Sequence, residues 1–137
     1  MSSQSILRAL KVKSISDSRG NLDVAEINLE KDFQTKRIYC ISNVPSELKR
    51  GEHAHKNLKQ IFFALSGEFK LTVTDGSISE SVRVKSHGVG YYLAEGYWRE
   101  LSEFTPDAVC LVLASDIYNE SDYIYSYDDF LRWKNNG

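Results

Sequence analysis

The sequence predicts an all-β fold, a barrel or sandwich of short strands followed by one short helix. Three observations support this. Apolar stretches of strand length recur at regular spacing, with turn signals between them. Before residue 120, no stretch keeps a helical period over three turns. At 137 residues, the chain is long enough to bury a core of its own, so we expect a single domain over 1–137.

The elements follow in chain order. Strands are predicted over 5–16, 22–29, 36–42, 50–55, 61–65, 68–74, 79–85, 89–93 and 108–114. Asp75-Gly76 is the strongest hairpin signal, and it joins two of these strands. The last strand is wholly apolar. Asp128–Lys134 is acidic at its start and basic at its end, as the dipole of a helix favours, so a short helix is predicted there.

Charge and composition narrow the class of partner. The 17 Lys and Arg residues against 19 Asp and Glu leave no excess that would indicate nucleic acid or a membrane surface. Met1–Ser5 lacks the pattern of a signal peptide, and the apolar runs are too short to span a bilayer. Cys40 and Cys110 lie in apolar runs, which favours buried free thiols over a disulfide. We expect a soluble, cytoplasmic protein without a nucleic-acid or membrane partner.

The stretch Arg50–His55 carries the clearest chemistry. His53 and His55 stand two residues apart, and on a strand such side chains share a face, so both imidazoles would point into one cavity. The polar interval Lys56–Lys59 predicts a turn, which resets the register and lets Gln60 face the same interior. The alternative is two histidines that serve only the core or the surface.

These residues resemble the first motif of the cupin barrels: Gly51-Glu-His53-Ala-His55, four residues, Gln60, six residues, Gly67. Cupins normally have Glu at the position of Gln60, and metal-binding cupins have a last histidine where this chain has Arg99. An amide is a poor metal ligand, and a guanidinium brings a permanent positive charge to the metal position. We therefore expect no metal.

A tighter resemblance covers nearly the whole chain. It rests on Asp17–Gly20, Lys36–Tyr39, Arg50–Lys56, Gln60, and Leu113–Asp116 with Asp122–Ile124, which together resemble the sugar-nucleotide 3,4-ketoisomerases. These are small cupins that act on dTDP-4-keto-6-deoxyglucose. Members often carry His after the Trp of the second motif, and Arg99 departs from that pattern.

The resemblance implies a cupin (jelly-roll) barrel and an isomerase that moves the keto group from C4 to C3 through an enediol. It needs no cofactor because the reaction is internally balanced. The family setting is deoxysugar biosynthesis for lipopolysaccharide or O-antigen, and members are homodimers, some of which exchange N-terminal strands. A 3,5-epimerase, a metal-dependent cupin such as a dioxygenase, and a non-catalytic sugar-nucleotide-binding module are the alternatives.

The implied chemistry needs a base, a proton donor and groups that stabilise the enediolate. We assign His55 as the base at C3, with His53 and Tyr39 handling protons at the oxygen and C4. Tyr39 has an equal alternative as a core aromatic whose hydroxyl finds a buried partner.

The predicted binding residues include three arginines for the diphosphate. Arg50 is the first candidate because it adjoins the histidines, followed by Arg37 and Arg19; the alternative for each is a solvated surface charge. The other predicted substrate-binding residues are Gln60, Tyr92, Trp98 and Arg99, although aromatic residues in a barrel more often belong to the core.

Overall fold

Two antiparallel sheets of five strands each form the body of the protein in this computed structural model, which describes residues 5–29 and 31–136. Residues 1–4, where the sequence lacks a signal-peptide pattern, lie outside the described residues, as do Glu30 and Gly137. The strands are β1 (Leu7–Leu10), β2 (Lys13–Asp17), β3 (Gly20–Val24), β4 (Arg37–Ser42), β5 (Arg50–His55), β6 (Gln60–Ser66), β7 (Glu68–Thr74), β8 (Ser79–Lys85), β9 (Gly90–Leu93), β10 (Trp98–Ser102), β11 (Val109–Ala114) and β12 (Tyr123–Ile124). A 3₁₀ turn spans Glu120–Asp122, and helix α1 spans Tyr127–Asn136.

The strand order is β1-β9-β6-β11-β4 in one sheet and β12-β5-β10-β7-β8 in the other, while β2 and β3 pair with each other as a separate hairpin. All pairings are antiparallel. The predicted all-β class is confirmed, and so is the terminal helix. Within the described ranges, no helix is both long and apolar enough to cross a bilayer.

The core lies between the two five-stranded sheets. Along β7, every second side chain is buried, and Phe69, Leu71 and Val73 are fully enclosed against Phe62 and Val112 of the other sheet. Full burial of an apolar side chain of this size contributes about 1.5–3 kcal/mol. This apolar packing fixes the spacing of the sheets, and thereby the width of the space between them.

Helix α1 packs on the outer face of the β5–β10 pair. Phe130 is fully buried, with its ring centroid 6.0 Å from that of Trp98, and Tyr127 lies 5.4 Å from Trp98. Lys134 Nζ donates to the carbonyl oxygen of Gly96 at 2.6 Å. The helix therefore supports the two strands that carry His53 and Arg99.

The N-terminal strands differ from the prediction. The predicted strand 5–16 is divided into β1 and β2, and the predicted strand 22–29 ends at Val24. The β2–β3 hairpin projects beyond the two sheets, leaving Ile15 and Leu22 45% and 56% exposed. With so little of the hairpin buried, the apolar pattern of the sequence does not mark its ends.

Two further predictions need correction. Strand β10 was not predicted because its charged residues Arg99 and Glu100 interrupt the apolar pattern after the turn at 94–96. Cys110 is a buried free thiol as expected, but Cys40 is exposed, since it lies on the outward side of the edge strand β4.

Candidate active site

A cavity of about 610 Å³ lies at one end of the space between the sheets. Phe62 and Leu101 belong both to its wall and to the core, so the cavity continues the apolar interior. Six of the predicted site residues line it: Arg37, Tyr39, Arg50, His53, Gln60 and Arg99. They come from β4, β5, β6 and β10, which are separated in sequence and brought together by the two sheets.

A bulge in β5 sets the direction of His53. Gly51 and Glu52 have φ values of 82° and 51°, and the pairing of β10 with β5 shifts register there. A bulge re-aims the side chains that follow it. A Cβ at Gly51 would lie 3.0 Å from Leu101 Cδ1 and 3.2 Å from the Arg99 carbonyl oxygen, so glycine suits the position. The Gly51 carbonyl oxygen lies 2.7 Å from His53 Nδ1 and thereby holds the ring in place.

The two histidines form a hydrogen-bonded row that ends on a buried carboxylate. His53 Nε2 lies 3.1 Å from His55 Nε2, and His55 Nδ1 lies 3.0 Å from Asp122 Oδ2. Asp122 also accepts from the backbone N–H groups of Asn57 at 2.7 Å and Leu58 at 3.3 Å. His53 lines the cavity, whereas His55 is 1% exposed and lies behind it. We call Gly51 O, His53, His55 and Asp122 the histidine row.

The histidine row is one proton short when both rings are neutral. Its three contacts lie between two acceptors, the Gly51 carbonyl and the Asp122 carboxylate, so each contact requires one proton. Two neutral imidazoles supply only two. Burial and the positive charge of Arg99 lower the pKa of His53 to about 4 and lower the pKa of His55 as well. At neutral pH both imidazoles are therefore uncharged, and the row can accept one proton.

A second row lies at the same end of the cavity. Arg99, which is 1% exposed, donates from Nη1 to Gln60 Oε1 and from Nη2 to the Tyr97 carbonyl oxygen at 3.0 Å. Gln60 Nε2 donates to the Tyr39 hydroxyl oxygen at 2.8 Å. We call Arg99, Gln60 and Tyr39 the arginine row. It brings a cation, an amide and a phenol to one wall of the cavity.

The charges of the arginine row are fixed at neutral pH. Burial lowers the pKa of Arg99 to about 10, which still leaves the guanidinium protonated, and burial raises the pKa of Tyr39 above its usual value. Arg99 Nε is buried and has no hydrogen-bond partner in the described part of the chain. A buried, under-satisfied cation beside a cavity stabilises an anion that enters it.

More positive charge lines the cavity, where Arg37, Lys49 and Arg50 contribute to the wall. Lys49 pairs with Glu100 at 2.9 Å. The Arg37 guanidinium lies 5.4 Å from the ring centroid of Tyr39, and its buried Nε has no partner among the described residues. Such a set suits a diphosphate, whose charges arginine binds through paired donors.

Aromatic rings form another part of the wall. Tyr123 and Tyr125 stack at 5.3 Å with an interplanar angle of 13°, and Tyr118 lies 5.6 Å from Tyr123. Tyr123 also lies 4.4 Å from His55. Stacked rings of this kind offer a flat apolar surface to a sugar or a nucleobase.

Asp122 and these three tyrosines were not among the site residues predicted from the sequence. Asp122 is separated from His55 by 67 residues, and the pairing of β12 with β5 that brings them together is not encoded in any local pattern. The one signal was that Asp122 and Tyr123 belong to Asp122–Ile124, one of the ranges that carry the family resemblance. That segment says nothing about how deeply Asp122 is buried.

Three predicted binding residues lie elsewhere. Trp98 precedes Arg99 on β10 and so faces the opposite side, against α1. Tyr92 packs with Ile61 and Phe33 in a separate cluster. Arg19 is at the tip of the β2–β3 hairpin, where its side chain is 88% exposed and pairs with Asp17.

The donor atoms at the histidines are unsuited to a divalent cation. Arg99 stands directly opposite His53 across the β5–β10 pair, and its guanidinium repels positive charge. Among residues 5–29 and 31–136, no group of three or more His, Cys, Asp or Glu side chains has an arrangement that could hold a metal ion.

The chain is similar to known proteins in both sequence and fold. Residues 6–135 match the protein family described as FdtA: WxcM-like, C-terminal. The chain is 40% identical over 126 residues to TDP-4-oxo-6-deoxy-alpha-D-glucose-3,4-oxoisomerase of Aneurinibacillus thermoaerophilus, covering 92% of this chain and 91% of that relative.

Two solved structures show the same fold. The WlaRB TDP-quinovose 3,4-ketoisomerase of Campylobacter jejuni is 39% identical, with a TM-score of 0.82 over 92% of this chain and 97% of that one. A histidine-to-asparagine variant of the 3,4-ketoisomerase QdtA of Thermoanaerobacterium thermosaccharolyticum, in complex with TDP-4-keto-6-deoxyglucose, is 32% identical. Its TM-score is 0.88 over 98% of this chain and 97% of that one.

Proposed function

The chain belongs to the FdtA family of WxcM-like proteins, and on that premise we propose that it is a sugar-nucleotide 3,4-ketoisomerase acting on dTDP-4-keto-6-deoxyglucose. One observation carries the proposal. A proton-accepting histidine row and a proton-donating phenol, backed by a buried cation, meet in one cavity. Movement of a carbonyl between neighbouring carbons requires these groups and no electron acceptor.

The proton transfers balance within the substrate. His53, which lines the cavity, takes the proton from C3 while Tyr39 protonates the C4 carbonyl oxygen, and this gives the enediol. Tyr39 then recovers a proton from the C3 hydroxyl as the histidine row returns one to C4. The substrate loses C3–H and O3–H and gains C4–H and O4–H.

This mechanism revises the assignment of the base. The sequence favoured His55, but its ring is 1% exposed and lies behind His53. We propose that His53 meets the C3 proton and that His55, held by Asp122, shares it through the 3.1 Å Nε2–Nε2 contact. His55 and Asp122 are positioning residues in this scheme.

The remaining cavity groups suit the rest of a nucleotide sugar. We propose that the buried Arg99 guanidinium stabilises the negative charge that develops on the C4 oxygen as the C3 proton leaves. Arg37 and Arg50 would bind the diphosphate, and the stacked Tyr123 and Tyr125 would contact the sugar or the base.

We further propose a homodimer that exchanges N-terminal segments. The support is the β2–β3 hairpin, which exposes Ile15 and Leu22 away from the two sheets. An exposed apolar hairpin is stabilised by a second copy. Arg19 at its tip keeps a substrate-binding role only if the hairpin reaches the partner's cavity. Light scattering on the purified protein measures the state directly, and a monomer at micromolar concentration would contradict the dimer.

We place the activity in the cytoplasm, in deoxysugar biosynthesis for lipopolysaccharide or O-antigen. The support for the pathway is that one relative is named for a nucleotide-linked 6-deoxysugar and that a solved structure of another holds one. Fractionation of the native cells would test the compartment.

Incubation with dTDP-4-keto-6-deoxyglucose in deuterated water, followed by NMR of the product, tests the function. We expect a 3-keto product, with any deuterium in that product at C4. Exchange at C5 would instead indicate a 3,5-epimerase, and binding without turnover a non-catalytic module. Either result would contradict the proposal. The same spectra report the configuration at C4.

A further inference from the structure

We infer that Gln60 is a positioning residue that sets the direction of the Tyr39 hydroxyl, so that the tyrosine donates its proton into the cavity. The inference rests on the proposed function, because it assigns a role within that reaction. It also explains why this chain has an amide where cupins normally have a carboxylate.

The first step is the orientation of the Gln60 amide. A guanidinium donates hydrogen bonds and accepts none, so the Gln60 atom that faces Arg99 Nη1 must be the carbonyl oxygen. Arg99 is itself held by the Tyr97 carbonyl oxygen at 3.0 Å. Both Gln60 and Arg99 are 1% exposed, so water cannot compensate for a flipped amide.

The second step is the polarity of the Tyr39 hydroxyl. With its oxygen on Arg99, Gln60 presents its NH₂ group to Tyr39 at 2.8 Å, and that group only donates. The tyrosine oxygen must accept this hydrogen bond. No acceptor within the described part of the chain takes the tyrosine's own proton, and Tyr39 lines the cavity. The O–H bond is therefore free to donate to a carbonyl oxygen of a bound ligand.

A glutamate at position 60 would orient the Tyr39 hydroxyl in the opposite way. A glutamate side chain has the shape of glutamine but is acceptor-only when ionised. It would accept from Arg99 and from Tyr39 alike, and the phenol would turn its proton away from the cavity. The difference between an amide nitrogen and a carboxylate oxygen at this one position thus decides whether Tyr39 acts as a donor.

Gln60 is well placed to transmit this constraint. Its backbone is paired on both sides, with Ala114 of β11 and Leu93 of β9. The side chain therefore starts from the centre of a sheet rather than from a loop.

A double-mutant cycle with dTDP-4-keto-6-deoxyglucose tests the inference. We compare the wild type, Gln60→Glu, Tyr39→Phe and the double variant by single-turnover kinetics. Because general-acid catalysis contributes about 10²–10⁴-fold, we expect Gln60→Glu to lower the turnover rate about 100-fold with little change in substrate affinity. In the Tyr39→Phe background, the same change should cost clearly less, since its effect through Tyr39 is gone and only its effect on the Arg99 charge remains.

The pH dependence of the rate distinguishes the proposed role of Gln60 from a purely structural one. Protonation of the introduced carboxyl restores a donor toward Tyr39, so the rate of Gln60→Glu relative to the wild type should rise as the pH falls. Equal losses in both backgrounds, or a pH-independent deficit, would overturn the inference. If Tyr39→Phe leaves no measurable rate, the ¹³Cζ resonance of Tyr39, assigned by its loss in that variant, decides. It should shift on Gln60→Glu, and an unchanged resonance would overturn the inference.

The two failures are distinguishable. A wild type that does not turn over the keto sugar removes the proposed function, whatever the variants do. A wild type that turns it over, combined with additive effects of the two substitutions, removes only the role of Gln60.

Discussion

The histidine row and the arginine row share one cavity but hold protons in opposite ways. The histidine row lies between two acceptors and is one proton short, whereas in the arginine row each hydrogen bond is donated toward the ligand. The difference follows from the groups at the ends of each row. The histidine row ends on a carbonyl and a carboxylate, which accept hydrogen bonds, whereas the arginine row begins with a guanidinium, which donates them. In the proposed mechanism, acid and base roles are thus set by hydrogen-bond polarity, without requiring that either group titrate near neutral pH.

Removal of the cavity-facing histidine should have the largest effect on the reaction rate. We expect His53→Asn to lower kcat by about 1,000-fold or more, because the group that meets the C3 proton is lost. Binding of dTDP, measured by calorimetry, should change little. An activity loss that follows weakened binding or unfolding in place of kcat would contradict the role of His53 as the base.

A substitution of Asp122, at the end of the histidine row, should have a smaller effect on kcat. Asp122→Asn keeps the side-chain shape but removes the negative charge that attracts a proton to His55. We expect kcat to fall about 10–100-fold and the acid limb of the pH–rate profile to move to lower pH. Asp129→Asn is the matched control, since Asp129 is exposed and pairs with Arg132 on α1. An unmoved profile would reduce Asp122 to a structural role.

Weakening the diphosphate contacts should leave both rows intact. We expect Arg37→Met to raise KM about 10-fold or more, because a hydrogen bond to a charged group contributes about 1.5–3 kcal/mol. The value of kcat should stay within about threefold. Arg132→Met, at an exposed site on α1, is the control and should change neither constant. A fall in kcat with unchanged KM would show that Arg37 acts on the chemical step.

The histidine row also predicts how stability depends on pH. The folded-state pKa of His53 lies near 4, below the unfolded value near 6.5, so the unfolded chain binds more protons between these values. Stability is therefore fully present above about pH 6.5 and falls as the pH drops toward 4, by on the order of 1–2 kcal/mol. Urea unfolding at pH 7.5 and 5 measures it. His53→Asn should reduce the slope without abolishing it, because burial lowers the pKa of His55 as well. An equal slope in that variant would contradict the assignment.

The smallest expected effect is that of chelation. Because Arg99 brings a fixed positive charge to the histidines, we expect turnover to be unchanged after treatment with EDTA and dialysis. Metal analysis of the active preparation is the accompanying measurement. Loss of activity that a divalent cation restores would favour the metal-dependent alternative.

Much of this arrangement was predictable from local patterns. The period of a strand predicts that His53 and His55 share one face, and the polar interval Lys56–Lys59 predicts the turn before Gln60. The residue type at Arg99 was informative on its own, because a guanidinium repels a metal wherever it lies near the histidines.

The rest depended on long-range pairing. Which histidine faces the cavity is set by the bulge at Gly51 and Glu52, and a bulge leaves no periodic signal in the sequence. Asp122 reaches His55 through a two-residue strand, too short to be predicted. Whether Trp98 and Tyr92 face the cavity depends on the alternation of side chains along β10 and β9. A prediction of strand ends that is wrong by one residue reverses the face.

The most direct test is the protonation state of the histidine row, measured by ¹⁵N NMR of the imidazoles at pH 7. There are three histidines, and His87→Asn removes the exposed one from the spectrum. We expect His53 and His55 both to be neutral, with His55 carrying its proton on Nδ1 toward Asp122. An imidazolium signal from either ring in the free protein would contradict the view that this row is a vacant proton acceptor.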